Sequence, residues 1–502
     1  MLKKDNGIRP IAVGDVLRRL TGKALVRAQK DKIVAYFSPL QVGVAVPCGA
    51  EAVVHGWKII MDMFGDDPDI VAVKVDFDNA FNNANRAEML RLCLQHFPEL
   101  YGYAWFCYCE PSSLYLQGYD IPEVVQSRQG TQQGCPFGSF LYCLILHKLV
   151  KRIAERCPTL KLHTWFMDDG SIIGKTEVVK QAWNMIVEEG PADGLFANQT
   201  KSELVWPSRL PQSHSFPATM KVYPTPNCDI LGAPIGTPDH CDEWVTKKAI
   251  EKTRKLLLHL DKLEAPHHAY LLLRYCLSFA RMVFFLRAIP VDYLPRACDT
   301  FDRAVMQGLQ SISAYKFDDN AIIQSSLRLS NGGLGLRNSK QHHPAAYYAS
   351  FRKSRDLICG FTTPLDWNNM PHFANACMRL KETVPDFKLD DSPTQRDLSA
   401  RIDLRQKDTL FNTFGVRDRA RLNAVSAPRA SAIFSASPSS KIGNGLIGDE
   451  WYVIVARNLG LKIFPEEFPC PAPGCKGTMD VYGDHALVCS CKGDRIRRHN
   501  AE

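Results

Sequence analysis

"TWFMDDGSII", residues 164–173, sets two carboxylates side by side between short apolar runs. Adjacent like charges raise each other's pKa and cost stability. Asp-Asp pairs also stand at 66–67, 318–319 and 390–391, three places whose polar surroundings suit a solvated turn. The pair at 168–169 differs, because Thr164, Trp165 and Phe166 precede it and Gly170, Ser171, Ile172 and Ile173 follow. β-Branched and aromatic residues on both sides of an Asp-Gly step predict a β-hairpin with the acids at its tip. A bound divalent cation reverses the repulsion, since it is the largest local charge and favours the ionised form. The pair therefore asks for a metal, and the metal asks for a further carboxylate.

Asp76 is the candidate partner. "IVAVKVDFDNAF" (70–81) begins as a near-continuous apolar run broken only by Lys74, which predicts a central strand ending at Asp76. Asp76, Asp168 and Asp169 can meet if strand and hairpin lie side by side in one sheet. Three carboxylates around two Mg²⁺ ions about 3.5–4 Å apart suit in-line phosphoryl transfer. Magnesium binds few carboxylates and completes its shell with phosphate oxygens and water.

Outward from this core, the pattern predicts a helix at about 85–96, with Met89, Leu90, Cys93, Leu94 and Phe97 on one face. "SSLYLQG" (112–118), "ELVWP" (203–207) and "CDILGAPIG" (228–236) read as strands. "RQGTQQGCPFGSF" (128–140) is a glycine-punctuated loop opening a long apolar helix to about Ala154, and 176–190 is another helix. From Asp242 the character turns helical. "DEWVTKKAIEKTRKLLLHLDKL" (242–263) places Val245, Ala249, Leu256, Leu260 and Leu263 on one side. Lys248, Lys252 and Lys255 lie on another, either as a solvated face or along a phosphate backbone. A second apolar helix spans about His268 to Ala288, "SNGGLGLRN" (330–338) is a tight glycine turn, and 345–425 is mostly helical. Residues 426–445, rich in Ser, Ala, Pro and Gly, read as a linker. The pairs His267-His268 and His342-His343 have no metal spacing and read as surface histidines.

At 502 residues the chain exceeds one ordinary domain, and 45% apolar residues are enough for real cores. A net charge of +8 permits a nucleic-acid partner. The 17 cysteines are scattered among apolar residues, as at Cys93, Cys107, Cys109 and Cys143. That fits buried reduced thiols better than a disulfide framework. Runs such as "SFLYCLIL" (139–146) are too short to span a bilayer, so no membrane partner is expected. The abrupt start and the basic end "GDRIRRHNAE" read as cut ends of a longer chain.

The tail "CPAPGCKGTMDVYGDHALVCSC" (470–491) carries Cys470, Cys475, His485 and Cys489 in the spacing C-x4-C-x9-H-x3-C, with Cys491 spare. Three thiolates and an imidazole around one Zn²⁺ make a closed structural site, and a short segment without a core would fold on the metal.

The order "RPIAV", "VDFDNAF", "RQGTQQGCPFGSFLY", "FMDDG", "LFANQTKSEL", "ILGAPIG" over residues 1–236 resembles the catalytic domain of reverse transcriptases, in the version carried by non-LTR retrotransposons. The resemblance implies an α+β right-hand polymerase: fingers and palm (1–236), a helical thumb (237–345), a helical connection and linker (346–445) and a zinc-knuckle tail (446–502). It implies an RNA-directed DNA polymerase that extends a DNA 3′ end on an RNA template. Partners would be the RNA template, the DNA primer or target and dNTPs, and the location intracellular and nuclear. The family's catalytic aspartates fall on Asp76, Asp168 and Asp169. Phe81 falls on an aromatic gate that excludes a 2′-hydroxyl, with ordinary core packing as its alternative. Gln133 and Gly134 match a Gln-Gly that lies against the incoming nucleotide. Arg9 matches a triphosphate clamp and Lys201 a lysine that protonates the leaving pyrophosphate, with a plain surface role as the alternative for each. The sequence departs from the family at Met167, in the second slot of "FMDD", and at Ser139, where proline is frequent. The tail resembles the Cys-Cys-His-Cys knuckle of elements with a restriction-like endonuclease. Two other readings stay open: an intron-maturase-type palm polymerase, and a catalytically silent remnant that binds nucleic acid.

Overall fold

In the computed structural model, residues 11–115, 124–208, 214–260, 262–367, 369–388, 393–439, 441–489 and 491 are described. Two compact units divide the chain, Met1–Cys241 with Ser350–Pro371, and Asp242–Ala349 with His372–Glu502.

The first unit is built on a five-stranded sheet. Its order is Leu162–Phe166, Asp169–Lys175, Ile70–Val75, Glu203–Val205, Lys221–Tyr223. The first four strands pair antiparallel and the last pair is parallel. Ile70–Val75 is central as its apolar run predicts, with Val71, Val73 and Val75 buried in the main core. Helix Gly138–Arg156 is buried over most of 138–150, while Lys151, Glu155 and Arg156 in its last turns are exposed. Helix Arg86–His96 starts where Asn85 accepts from the backbone N–H of Ala87 and Glu88. It buries Met89, Leu90, Leu92 and Cys93, while Leu94 is exposed.

The second unit is helical. Its helix Pro295–Ser313 buries Phe301, Val305 and Leu309 and begins on Asp242, whose carboxylate accepts from the backbone N–H of Ala297 at 2.9 Å. The long helix expected over 242–263 carries a wide π turn at Thr246–Ile250. The extra residue moves the buried stripe on by one: Leu257 and Leu260 face inward, and Leu256 and Leu263 are exposed. The stretch Pro266–Ala288 is long and apolar enough to cross a membrane by length and composition. It is not one continuous α-helix, since a π turn and a break at Ser278 interrupt it.

Other expectations change. His267, His342 and His343 are buried, not at the surface, each with a hydrogen-bond partner inside the fold, and only His268 is exposed. The serine- and alanine-rich stretch 426–445 buries Phe434, whose ring packs on Tyr270 and Trp451. Cys109 is exposed, while Cys93, Cys107 and Cys143 are buried as expected.

Candidate functional site: a carboxylate hairpin and a cysteine-histidine cluster

The hairpin forms as predicted, but its register is not the one the Asp-Gly step suggests. Phe166 pairs with Asp169, so Met167 and Asp168 are the two turn residues. Met167 takes the left-handed φ of +56° that the turn demands. Gly170 sits within the strand, between Trp165 and Val75. A Cβ there would lie 2.6 Å from the Trp165 ring, so the glycine serves close packing and not the turn.

A left-handed, non-glycine turn is costly unless its surroundings hold it. Gln41 does so. It is fully buried, donates from Nε2 to the Met167 carbonyl at 2.9 Å and accepts at Oε1 from the Met167 N–H at 2.8 Å. The same Oε1 accepts from Gly43 N–H. The backbone of 40–42 runs along Trp165, with Trp165 N–H donating to Leu40 and Val42 N–H to Trp165.

Asp76 follows Val75, which pairs with Gly170, so strand and hairpin bring Asp76 beside Asp169 on neighbouring strands. Its backbone is fixed at both ends: its N–H donates to Ser202 Oγ at 3.1 Å, and its carbonyl accepts from Asn198 N–H at 2.8 Å. The Asp169 carboxyl is pushed up to about 6, first by burial, then by the charges of Asp168 and Asp76. Asp169 as a whole residue is exposed, so the like charges are the firmer cause. Lys74 opposes the shift and forms an ion pair with Glu203. Among the described residues, the group of three or more Cys, His, Asp or Glu ligand atoms within 4.8 Å of one another is in the tail. The three aspartates are not such a group, and what places them together is the strand register.

Beneath the acids lies Tyr142, which sequence reading did not single out. It is fully buried, its hydroxyl has no hydrogen-bond partner, and burial followed by the charge of Asp168 pushes its pKa well up. Phe81 is half-buried and packs against the main core, its ring 4.6 Å from that of Tyr142. Gln133 bridges to Ile11 and its carbonyl accepts from Ala12 N–H at 2.8 Å. Gly134 has φ +109° and lies so near Ala12 that a Cβ would come within 2.6 Å of its carbonyl oxygen. Arg9 lies outside the described residues. Lys201 is exposed, on the turn between Asn198 and Ser202 that holds the Asp76 backbone. Gln41, Tyr142, Ser202 and Asn198 are the residues that sequence reasoning missed. Gln41 and Tyr142 each put one polar group on an otherwise apolar run, a signal too common to single them out, and Asn198 and Ser202 lie in a polar stretch, 198–203, that marks no one residue.

The second unit holds the cysteine-histidine cluster. Strands Phe468–Pro469 and Thr478–Met479 make a short hairpin, and helix Asp484–Val488 follows. Asp480 orients the helix, accepting from the N–H of Tyr482, Asp484 and His485. The ligand atoms of Cys470, Cys475, His485 and Cys489 all lie within 4.8 Å of one another. The Sγ atoms of Cys470 and Cys489 are 3.9 Å apart, those of Cys489 and Cys475 3.8 Å, and Cys475 Sγ is 3.4 Å from His485 Nε2. A tetrahedral zinc with bonds of about 2.3 Å to sulfur has edges of about 3.8 Å, so the donor set and spacing fit that ion. The Cys475 thiol is lowered to about 6, chiefly by the Gly477 N–H donating to it. Cys491 is pushed up to about 11, first by desolvation and then by Cys475 and Cys489 beside it.

Residues 1–235 match the family described as reverse transcriptase (RNA-dependent DNA polymerase). No curated protein matches the chain. Similar solved structures include telomerase from Candida albicans in complex with a TWJ fragment of telomeric RNA, at 14% identity and TM-score 0.36, covering 78% of this chain and 59% of that one. Telomerase from Candida tropicalis with the same kind of fragment is 9% identical at TM-score 0.38, covering 72% and 57%. The apo telomerase from Candida tropicalis is 9% identical at TM-score 0.33, covering 81% and 61%. The chain thus spans less than two thirds of the length of each.

Proposed function

From a reverse transcriptase domain over residues 1–235, we propose that this chain extends a DNA 3′ end on an RNA template by two-metal nucleotidyl transfer. The observation that carries the reading is the strand register that sets Asp76 beside Asp169, where burial and then the charges of Asp168 and Asp76 push the Asp169 carboxyl up to about 6. Asp76, Asp168 and Asp169 would hold two Mg²⁺ ions. Bound there, the ions would lower the pKa of a primer 3′-hydroxyl and neutralise charge on the leaving pyrophosphate. Gln41 keeps the turn in shape, and Ser202 and Asn198 keep Asp76 in line. Lys201, beside Ser202, would deliver a proton to pyrophosphate. Arg9 would grip the triphosphate with its guanidinium fork. Gln133 and Gly134 would lie along the nucleotide, and Phe81, backed by Tyr142, would stand under its sugar and refuse a 2′-hydroxyl.

Cys470, Cys475, His485 and Cys489 would hold one structural Zn²⁺. In this reading 1–236 are fingers and palm, 237–345 the thumb, 346–445 the connection and 446–502 the zinc tail. The order of the motifs together with the Cys-Cys-His-Cys spacing supports a non-LTR retrotransposon enzyme acting in the nucleus on its RNA, a DNA target and dNTPs. The same tail speaks against an intron-maturase-type enzyme. Primer extension on a poly-rA template tests the proposal. Incorporation that Asp168→Asn abolishes supports it. No incorporation, with RNA binding that weakens as salt rises, would favour the silent remnant.

A further inference from the structure

The second unit contains a cleft of about 380 Å³ that the polymerase chemistry does not use. The glycine turn 330–338 and the broken helix around Ser278 build it. Arg274, Tyr275 and Phe279 line it from the helix, and Arg328, Gly335 and Arg337 from the turn and its approach. Gly335 has φ +73°, and a Cβ there would come within 2.8 Å of Arg274 Nε, so the turn is shaped to leave that guanidinium its place. Arg274 donates to the Phe434 carbonyl at 3.0 Å and to the Tyr275 hydroxyl at 3.1 Å, and its guanidinium lies 4.6 Å from the centre of the Tyr275 ring. Tyr275 is still 55% exposed.

Arg328 and Arg337 both reach Asp403, which is fully buried, at 2.8 and 3.2 Å. One guanidinium would suffice to neutralise one carboxylate. Three arginines against that single acid leave a surplus of two positive charges at the wall of the cleft. Guanidinium forks match phosphate oxygens, and an exposed aromatic ring beside them offers a platform for a base. The volume lies at the small end of the range for ligand clefts, about one nucleotide.

We propose that this cleft seats one nucleotide of a single-stranded nucleic acid, its phosphate on the arginines and its base on Tyr275. Binding of labelled 12-mer oligo-rU and oligo-dT to the full chain, measured by fluorescence anisotropy without magnesium or dNTPs, tests it. Tyr275→Ala should weaken binding about tenfold, the loss of one stacked base, while Tyr275→Phe binds like the wild type. Arg274→Gln should weaken it and flatten the slope of log K against log salt by about 0.7, one phosphate contact. A loss confined to oligo-rU identifies RNA as the natural strand, and an equal loss means the site accepts either. Wild-type affinity and slope in Tyr275→Ala and Arg274→Gln would overturn the proposal. So would equal weakening by Tyr275→Ala and Tyr275→Phe, since the hydroxyl contact to Arg274 would then be structural. Without magnesium or dNTPs no extension occurs, so failure of this test leaves the polymerase reading standing.

Discussion

The two candidate metal sites of this chain are built in opposite ways. The acids come from positions 76 and 168–169, far apart in sequence, and a buried sheet mounts them. The cysteine-histidine ligands come from one stretch, 470–489, with a hairpin of two two-residue strands and a five-residue helix for support. The first site has a scaffold that needs no ion, so its like charges are a cost the fold carries. The second brings its ligands to tetrahedral spacing but has little else to hold it. A scaffold that stands alone leaves a metal free to do chemistry, whereas ligands that stand only with their metal make it structural.

Crossed substitutions break or sharpen this contrast most strongly. Asp168→Asn should cut primer extension about 10³-fold, the several kcal/mol that a metal-held charge supplies, while thermal stability holds and the zinc content stays near one per chain. Cys475→Ser should do the converse to the tail: metal analysis should find no zinc and limited proteolysis should release the segment after about 460, with the sheet unit intact. Loss of stability in Asp168→Asn, or a protease-resistant tail without zinc, would erase the distinction.

Gln41→Ala probes the scaffold itself. It leaves the Met167 N–H and carbonyl without their partner. Unfolding of the sheet unit should become easier by about 2 kcal/mol, and extension should fall with it although no acid has been touched. Phe81→Ala or Phe81→Val should raise ribonucleotide incorporation about tenfold, the scale of a reshaped apolar contact. Unchanged sugar discrimination would remove Phe81 from the gate.

A separate effect concerns protons. Burial pushes His163 and His343 each down to about 4. Above pH 6.5 both are neutral in folded and unfolded chains. Between 6.5 and 4 the unfolded chain takes up protons that the folded chain refuses, so stability falls as pH falls through that window, by up to about 3 kcal/mol for each. His343→Gln, which keeps a donor for the Ile289 carbonyl, should flatten that slope in denaturant titrations run from pH 7 to 4.5.

What could be read in the sequence was whatever a local period carries. The run at 70–75 is apolar because it is covered on both faces, and the hairpin announces itself within a few residues. The residues that fix the geometry were silent. Gln41 acts 126 positions away from Met167, and nothing in "PLQVGV" marks its amide as a clamp. Gly170 looked like a turn residue because Asp-Gly so often is one, and only the Trp165 ring packed on it explains why it lies in the strand. The buried histidines were hidden for the same reason, since their partners are backbone carbonyls and hydroxyls from distant segments.

The wide turn at Thr246–Ile250 gives the second unit one residue of slack. Deleting any residue of that turn would let an ordinary helix run through with Val245 and Leu257 still facing inward. The same deletion a turn later would swing Leu260 out into water. Length variation in this helix should therefore be tolerated at one place and punished next to it.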